Sequence, residues 1–264
     1  MTVHPAYEVV RPVTPFASVL LQRNPGPMTL DGTNTWLLRA PGSDDAVVID
    51  PGQAGDEHVD RLLAAVPRVA LVLLTHGHLD HSQAAGEVHA RTGAPVRAAD
   101  PAYCHGAQAL SAGELIDAAG LRVHVLATPG HTADSVSFVI GADEAVITGD
   151  TVLGRGTTVV AHPDGALGPY LDSLRRLSAL GDATVLTGHG PELSSVADVA
   201  ASYLAHRDER LGQIRDALAT LGPDASARQI VELVYADVDR SVWFAAELSV
   251  EAQLAYLKSA GAAG

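Results

Sequence analysis

The sequence predicts an α/β protein in which helices pack outside a sheet core, with a small helical domain after it. Short apolar strands alternate with turn residues and helical stretches as far as about residue 190, and the pattern then becomes predominantly helical. The 264 residues are 47% apolar, which is enough for one large domain with a small appendage. We therefore divide the chain into a large α/β domain at 1–204 and a small helical domain at 205–264.

The first domain supplies the strands of the predicted sheet core. Strands are predicted at residues 35–39, 46–50, 69–74, 121–127, 135–140, 145–148 and 184–187. Apolar residues at helical spacing predict helices at 56–66 and 82–91. The continuous apolar run at 69–74 is typical of a strand buried on both faces.

The second domain is predicted from three helical stretches. The first covers 193–221 and stops at Gly222-Pro223. Amphipathic patterns at 225–235 and 242–257 follow. Trp243 and Phe244 are expected to pack inside this domain.

Composition and charge exclude several classes of protein. The single cysteine, Cys104, excludes an internal disulfide framework or a zinc site made of several thiolates. A formal charge of −14 argues against broad binding to nucleic acid, including duplex DNA, and to anionic membranes. We see no signal peptide, and the longest apolar run is too short to span a bilayer. The expectation is a cytoplasmic protein.

Four ligand-type side chains lie within six residues directly after the predicted buried strand. His76, His78, Asp80 and His81 form the segment HGHLDH. Imidazole and carboxylate groups suit zinc, iron and manganese. His76 and His78 occupy alternate positions and can point the same way, and Asp80 and His81 then turn toward a second point. A metal site explains this spacing better than a solvated loop does.

Three further residues fit the same hypothesis. His131, Asp150 and His189 each follow a predicted strand and a glycine, in the segments PGHT, TGD and GHG. Strand ends can converge on one edge of a sheet. Together with the first cluster they give seven ligands, which is enough for two metal ions with a shared water.

The complete pattern resembles the metallo-β-lactamase superfamily, whose motif is His-x-His-x-Asp-His followed by separate His, Asp and His residues. The resemblance implies an αββα sandwich over about residues 15–200. It also implies one metal at His76, His78 and His131 and a second at Asp80, His81 and His189, with Asp150 bridging the two. Two zinc ions are the expected cofactors, with iron or manganese as alternatives. An aspartate at 150, where B1 lactamases have cysteine, is closer to the glyoxalase II and nuclease branches.

A second resemblance covers almost the whole chain. The segment NPGPMTLDGTNTWL at 24–37 is similar to the opening signature of the lactamase-beta-like protein 2 group, and it would place Asn34 at the mouth of the site. The tail segments HRDERLGQI, ARQIVELVY and LAYLKSAG are similar to that group's winged-helix-like C-terminal domain. The group contains both endoribonucleases that act on single-stranded RNA and thioesterases.

The implied activity is hydrolysis by a metal-bridging hydroxide, with Asp80 orienting the water and accepting its proton. The expected substrate is single-stranded RNA or a small anionic thioester or ester. An acidic balance of 6 basic and 9 acidic residues in 201–264 opposes RNA, although Arg207, Arg210, Arg215 and Arg228 could form an arginine stripe. Alternatives are a mononuclear iron oxidoreductase like the persulfide dioxygenases, a glyoxalase II or β-lactamase side activity, and a metal-bound module without catalysis.

Overall fold

The structure, a computed structural model, describes residues 6–237 and 239–262. Two sheets lie face to face in this part of the chain. The first contains β1 (Val10–Pro12), β2 (Ala17–Leu21), β3 (Asn34–Leu38), β4 (Asp45–Ile49), β5 (Arg68–Leu73) and β6 (Val96–Arg97), in that spatial order. The second contains β7 (Leu115–Ala118), β8 (Leu121–Ala127), β9 (Val136–Ile140), β10 (Ala145–Gly149) and β11 (Thr184–Thr187), with β11 and β7 at its two edges.

In these two sheets, each parallel strand pair includes a strand that is followed by candidate ligands. Strand β4 pairs in parallel with β5, β5 with β6, and β10 with β11, whereas the other strand pairs are antiparallel. Parallel neighbours end at the same edge of a sheet. The loops after β4 and β5 therefore meet at one edge of the first sheet, and those after β10 and β11 meet at one edge of the second.

Seven α-helices complete the described fold. They are α1 (Asp56–Ala65), α2 (Leu79–Ser82), α3 (Ala85–Thr92), α4 (Leu167–Ser178), α5 (Val196–Leu221), α6 (Ala227–Val234) and α7 (Trp243–Ala262). A central apolar core lies between the sheets, with Trp36 and Phe138 among its largest members. A second core lies under α1 and α3, and a third lies under α4 and α5. This is the predicted αββα arrangement.

Strand β5 shows the pattern of a strand buried on both faces. Leu71 and Leu73 belong to the core between the sheets, whereas Val72 and Leu74 belong to the core under the helices. Burial on both faces removes any reason for the sequence to alternate polar and apolar residues. The prediction made from the continuous apolar run is confirmed.

Several elements differ from the sequence prediction. The sequence analysis did not predict strands β1, β2, β6 and β7, because most of them are short and their apolar pattern covers few residues. It did not predict helix α4 either. The predicted helix at 82–91 is divided into α2 and α3. Helix α2 begins at Leu79, so Asp80 and His81 lie on a helical turn.

The C-terminal part packs as a helical unit around its own apolar cluster. Residues of α5, α6 and α7, including Ile214, Ile230 and Val250, form that cluster. Helix α5 continues without interruption through the boundary that we placed at 204/205. Trp243 is buried as predicted, but the prediction for Phe244 was wrong, since its side chain is 57% exposed. Within the described residues, no helix combines the length and the hydropathy needed to cross a membrane.

Candidate metal centre

The motif HGHLDH is delivered by the end of β5 and the first turn of α2. His76 and His78 lie on the segment that leaves β5, and Asp80 and His81 lie on α2. His131 follows the end of β8, Asp150 follows β10, and His189 follows β11. All seven predicted ligands reach the same edge of the sandwich.

Three imidazoles form the first group. His76 Nε2 lies 3.0 Å from His78 Nδ1, and His131 Nε2 lies 3.1 Å from the same atom. His76 and His131 are buried, whereas His78 is exposed. The three nitrogens could hold one metal ion, with His78 at its solvent-facing side.

A carboxylate and two imidazoles form the second group. His189 Nε2 lies 3.1 Å from Asp80 Oδ2 and 3.2 Å from His81 Nε2. Asp150 lies between the groups, because its Oδ1 is 3.4 Å from His81 Nε2 and its Oδ2 is 3.8 Å from His131 Nε2. Gly188 leaves the room for this carboxylate, since a Cβ at that position would lie 2.5 Å from Asp150 Oδ1.

Four of the histidines are oriented by oxygen atoms outside the cluster. In each case Nδ1 faces an oxygen and Nε2 faces the other candidate ligands. These Nδ1 contacts are Thr75 Oγ1 for His76 (3.0 Å), Asp50 Oδ2 for His81 (2.9 Å), Val159 O for His131 (2.8 Å) and Gly32 O for His189 (3.0 Å). If Nδ1 donates its hydrogen outward, the Nε2 lone pair is free to bind a metal.

The residues present fit divalent metal ions. Nitrogen lone pairs that face one another about 3 Å apart repel unless a proton or a cation lies between them. Asp150 Oδ1 is also buried without a hydrogen-bond partner. A buried carboxylate oxygen of this kind is costly unless a cation satisfies it. The donor set, imidazole with carboxylate, suits zinc, iron and manganese.

The histidines differ in how readily they bind a proton. Burial lowers the pKa of His76 well below its ordinary value and also lowers the pKa of His131. Burial opposes protonation of His81 too, but Asp150 and Asp50 outweigh it and raise the pKa of His81 well above its ordinary value. Burial also opposes protonation of His189, but Asp150 outweighs it and raises the pKa of His189 to about 9. The second group therefore carries the stronger negative field.

Both candidate carboxylate ligands are ionised at neutral pH. Burial acts to raise the pKa of Asp150, but His189 and His81 hold it well below its ordinary value. Burial likewise opposes ionisation of Asp80, and the contact with His189 lowers its pKa. The cluster thus offers two anionic groups to a cation.

Asn34 has a supporting position and not the predicted place at the mouth of the site. Its side chain is buried, and its Nδ2 donates to Thr187 O at 3.0 Å and to Gly190 O at 2.8 Å. These two carbonyls flank His189. Because the side chain is buried and both amide hydrogens are used in holding this segment, we correct the expectation that Asn34 lies at the mouth of the site.

Asp50 is the residue that the sequence analysis missed. It directly follows β4, and its carboxylate accepts hydrogen bonds from Thr75 N at 2.8 Å and from Thr75 Oγ1 at 2.7 Å, besides contacting His81 Nδ1. It therefore orients one candidate ligand directly and His76 through Thr75. The sequence signal that could have identified Asp50 is its position directly after β4, the strand that pairs with β5.

A cleft of about 190 Å³ opens beside the exposed ligand His78. Three carboxylate residues, Asp100, Asp134 and Asp164, contribute to its wall. Tyr103 and Thr132 add hydroxyl groups, and no lysine or arginine is among the described lining residues. A substrate that reaches the candidate metals through this cleft meets hydrogen-bonding and acidic groups.

The four arginines considered as an RNA stripe do not share a surface role. Arg207 is buried, and Arg228 pairs with Glu232 at 3.0 Å and with Glu247 at 2.6 Å. Arg210 lies over the ring of Tyr235, with Cζ 4.6 Å from its centroid. A stripe that needs all four arginines free at the surface is therefore not formed, because Arg207 is buried and Arg228 is paired.

Comparison with known proteins places this geometry in a family. The model described as Metallo-beta-lactamase superfamily matches residues 28–189, which is more than half of the chain and includes all seven candidate ligands. The chain belongs to the metallo-beta-lactamase superfamily. A second model, the beta-lactamase associated winged helix domain, matches residues 226–263.

Two curated relatives show how this superfamily member compares in sequence. An atrochrysone carboxyl ACP thioesterase of Aspergillus fumigatus is 33% identical over 211 residues, covering 76% of this chain and 64% of that protein. A beta-lactamase-like protein 2 homolog of Caenorhabditis elegans is 28% identical over 239 residues, covering 86% of this chain and 79% of that protein. The match with the thioesterase thus spans slightly less than two thirds of that protein's length.

A solved structure supports the superfamily fold over almost the whole chain. The crystal structure of a beta-lactamase domain protein from Burkholderia ambifaria superposes with a TM-score of 0.83. It covers 98% of this chain and 91% of that chain at 23% sequence identity. The predicted sandwich with its C-terminal winged-helix domain is confirmed.

Proposed function

We propose that this protein is a hydrolase with two divalent metal ions, and that its substrate is an acyl thioester. The observation that carries the proposal is the position of the cleft. It begins at His78, the exposed ligand of the first group, and its wall contains three carboxylates and no described arginine or lysine. A polyphosphate backbone is repelled by such a wall, whereas the acyl and thiol parts of a thioester are uncharged.

The two groups of three ligands support two ions. His76, His78 and His131 would hold the first, and Asp80, His81 and His189 the second, with Asp150 shared. Metal ions held by these residues would supply a hydroxide near neutral pH and would polarise the substrate carbonyl. Zinc is the ion we expect, since imidazole and carboxylate ligands suit it, and iron and manganese are the alternatives.

Asp80 is the residue we assign to proton transfer. Its side chain is 20% exposed, so one face reaches the open side of the cluster while Oδ2 contacts His189. Asp80 is ionised at neutral pH, for the reason given above, and can accept a proton from an attacking water. The exposed face can then return that proton to solvent or to the departing thiolate.

Similarity to the Aspergillus fumigatus thioesterase supports the same reaction class. The acidic cleft also distinguishes the thioester from single-stranded RNA, which remains the competing substrate. Of the two substrates expected from the sequence, we therefore favour the thioester, with its acyl part uncharged. A cytoplasmic location remains part of the proposal, and duplex DNA and membranes are not expected partners.

The experiment that tests the proposal compares two substrates on zinc-loaded protein. An acyl thioester of N-acetylcysteamine and a labelled single-stranded RNA are each incubated with the wild type, with Asp80→Asn and with Asp172→Asn. Asp172 is an exposed carboxylate on α4, paired with Arg175, and serves as the matched control. We expect thioester hydrolysis by the wild type and the control, and at least a 100-fold loss with Asp80→Asn.

Other outcomes overturn the proposal in distinct ways. RNA cleavage that depends on Asp80, without thioester hydrolysis, would establish a ribonuclease. One iron per chain, with oxygen consumption on a persulfide substrate, would establish the oxidoreductase alternative. Two bound metals with neither reaction, and Asp80→Asn without effect, would favour a module that binds metal without catalysis.

A further inference from the structure

Arg207 occupies a position where an apolar side chain is expected. The buried stripe of α5 includes Tyr203, Leu211 and Ile214, and Arg207 lies on the same stripe with only 4% of its surface exposed. No described carboxylate lies within 4.0 Å of its guanidinium, and its Nε has no hydrogen-bond partner. A buried charge without an anionic partner is costly to the folded state. Side chains that break packing rules in this way are expected at functional sites.

The guanidinium binds the loop that carries a candidate metal ligand. We call residues 150–159 the Asp150 loop; it follows β10 and has no helix or strand. Arg207 Nη2 donates a hydrogen bond to Thr158 O. The hydroxyl of the same threonine donates to Asp150 O at 2.5 Å. Arg207 is thus two hydrogen bonds away from the residue that lies between the two ligand groups.

The same end of the loop also orients a second candidate ligand. Val159 O lies 2.8 Å from His131 Nδ1. Val159 is the next residue after Thr158, so a peptide plane held by Arg207 adjoins the carbonyl that orients His131. If the Val159 carbonyl moved, the His131 imidazole would rotate with it, because the Nδ1–H of the ring points at that oxygen.

Two tyrosines brace the rest of the Asp150 loop. Tyr203, one turn before Arg207 on α5, donates to Gly156 O at 3.0 Å, and Tyr170 on α4 donates to Thr151 O at 2.8 Å. The Arg207 Cζ lies 5.1 Å from the centroid of the Tyr170 ring. These contacts cover the start and the middle of the loop, and Arg207 alone among the three binds the end that adjoins Val159.

We propose that Arg207 is a positioning residue for Asp150 and His131, so that helix α5 sets the metal affinity of the site through the Asp150 loop. The inference rests on the proposed metal centre but not on the identity of the substrate. A planar guanidinium is suited to this task, because its donors are fixed in one plane and it stays charged. The cost of burying it is offset by its hydrogen bond to Thr158 O and by its stacking on Tyr170.

The test uses the full chain and metal alone. Zinc affinity is measured by competition with a chromophoric chelator, and the absorption spectrum of the cobalt-loaded protein reports ligand geometry. The variants are Arg207→Met, which keeps the length of the side chain, Arg207→Lys, which keeps its charge, and Thr158→Val, which removes the hydroxyl. Arg210→Met is the matched control, since Arg210 lies on the same helix and contacts Tyr235 instead of the loop.

We expect about 10–100-fold weaker binding of at least one zinc ion and an altered cobalt spectrum for Arg207→Met. Thr158→Val should weaken zinc binding less than Arg207→Met does. In the double variant of Arg207→Met and Thr158→Val, the loss of zinc-binding free energy should be smaller than the sum of the two single losses, because both residues act through one chain of hydrogen bonds. Arg207→Lys should fall between the wild type and Arg207→Met, and Arg210→Met should match the wild type.

The inference is overturned if Arg207→Met binds zinc as the wild type does, or if its loss and that of Thr158→Val are additive. If Arg207→Met does not fold, the lysine and valine variants decide by the same criteria. A wild-type protein that binds no zinc, iron or manganese overturns both the metal centre and this inference. Two bound metals without thioester hydrolysis would overturn only the substrate, and the role of Arg207 would stand.

Discussion

The ring of Tyr103 lies directly against the backbone of Gly77, in the middle of the segment that supplies His76 and His78. A Cβ placed on Gly77 would lie 2.3 Å from Tyr103 Cε2 and 2.7 Å from its hydroxyl oxygen. Gly77 does not have a left-handed backbone, so its conformation alone does not require glycine. The residue between the two histidines is glycine because an aromatic side chain covers it at the edge of the cleft.

Gly77→Ala is therefore expected to be destabilising. The added methyl group overlaps the Tyr103 ring, and relief of overpacking of this kind costs about 1–3 kcal/mol. Chemical denaturation of the metal-free protein measures the loss. In a protein that already carries Tyr103→Ala, the same Gly77→Ala substitution should cost less stability than it does in the wild type, because the ring that it would overlap is gone.

Gly212→Ala provides the matched glycine control. Nothing lies within 4 Å of a Cβ at this position on α5. Alanine is the better helix former, so this variant should be more stable by about 0.5–1 kcal/mol. Equal effects at the two glycines would contradict the role assigned to Tyr103.

Tyr103→Phe is expected to affect substrate and leave the fold intact. The hydroxyl group lines the cleft and makes no hydrogen bond within the described residues, whereas the ring supplies the contact with Gly77. Loss of one hydrogen bond to a bound substrate costs about 1 kcal/mol, which corresponds to a roughly fivefold lower kcat/KM. Steady-state kinetics on the thioester and a thermal melt measure the two effects. A lower melting temperature with unchanged kcat/KM would assign the hydroxyl a structural role.

Asp50→Asn tests the support of the second ligand group. Asn retains the shape of the side chain and tolerates the positive φ of 52° found at this position, so the backbone is not strained further. The amide cannot accept from Thr75 and from His81 Nδ1 as the carboxylate does. Loss of such a supporting contact weakens metal binding about 10–100-fold. Chelator competition against Asp172→Asn measures this, and an affinity within twofold of the wild type would show that His81 does not need Asp50.

The candidate ligands could be predicted from the sequence because each follows a strand. His131, Asp150 and His189 are far apart along the chain, but strand ends meet at sheet edges, and the spacing of HGHLDH identified the remaining four. Periodicity predicted the small helical C-terminal domain, whereas the αββα sandwich and the winged-helix character of that domain came from the family resemblance.

The supporting residues could not be found in the same way. Asp50 and His81 are 31 residues apart, and Arg207 and Thr158 are 49 residues apart, so their contacts depend on how separate elements pack. Asn34 was placed at the wrong surface for the same reason. Its two hydrogen-bond acceptors lie at the end of β11 and in the loop that follows it, more than 150 residues away. Short strands such as β6 were missed because a few residues carry no clear alternation.

His58 is expected to make stability depend on pH below neutrality. It is buried, with Nε2 2.9 Å from Thr35 Oγ1 and Nδ1 2.7 Å from Glu8 Oε2. Burial lowers its pKa, although Glu8 opposes the effect. The folded protein therefore binds fewer protons at this site than the unfolded chain does. Its contribution to stability is complete above the ordinary histidine pKa of about 6.5 and is lost as the pH falls below that value.

The measurement compares the wild type with His58→Gln between pH 7.5 and 5. Glutamine does not titrate, so the stability advantage of the wild type over this variant should shrink as the pH falls. Contributions from the metal ligands are present in both proteins and cancel in the difference. His105→Gln, at an exposed position, is the control. A constant difference between the wild type and His58→Gln would show that burial and the ion pair with Glu8 cancel, and a difference that grows toward pH 5 would show that the ion pair dominates; either result contradicts the prediction.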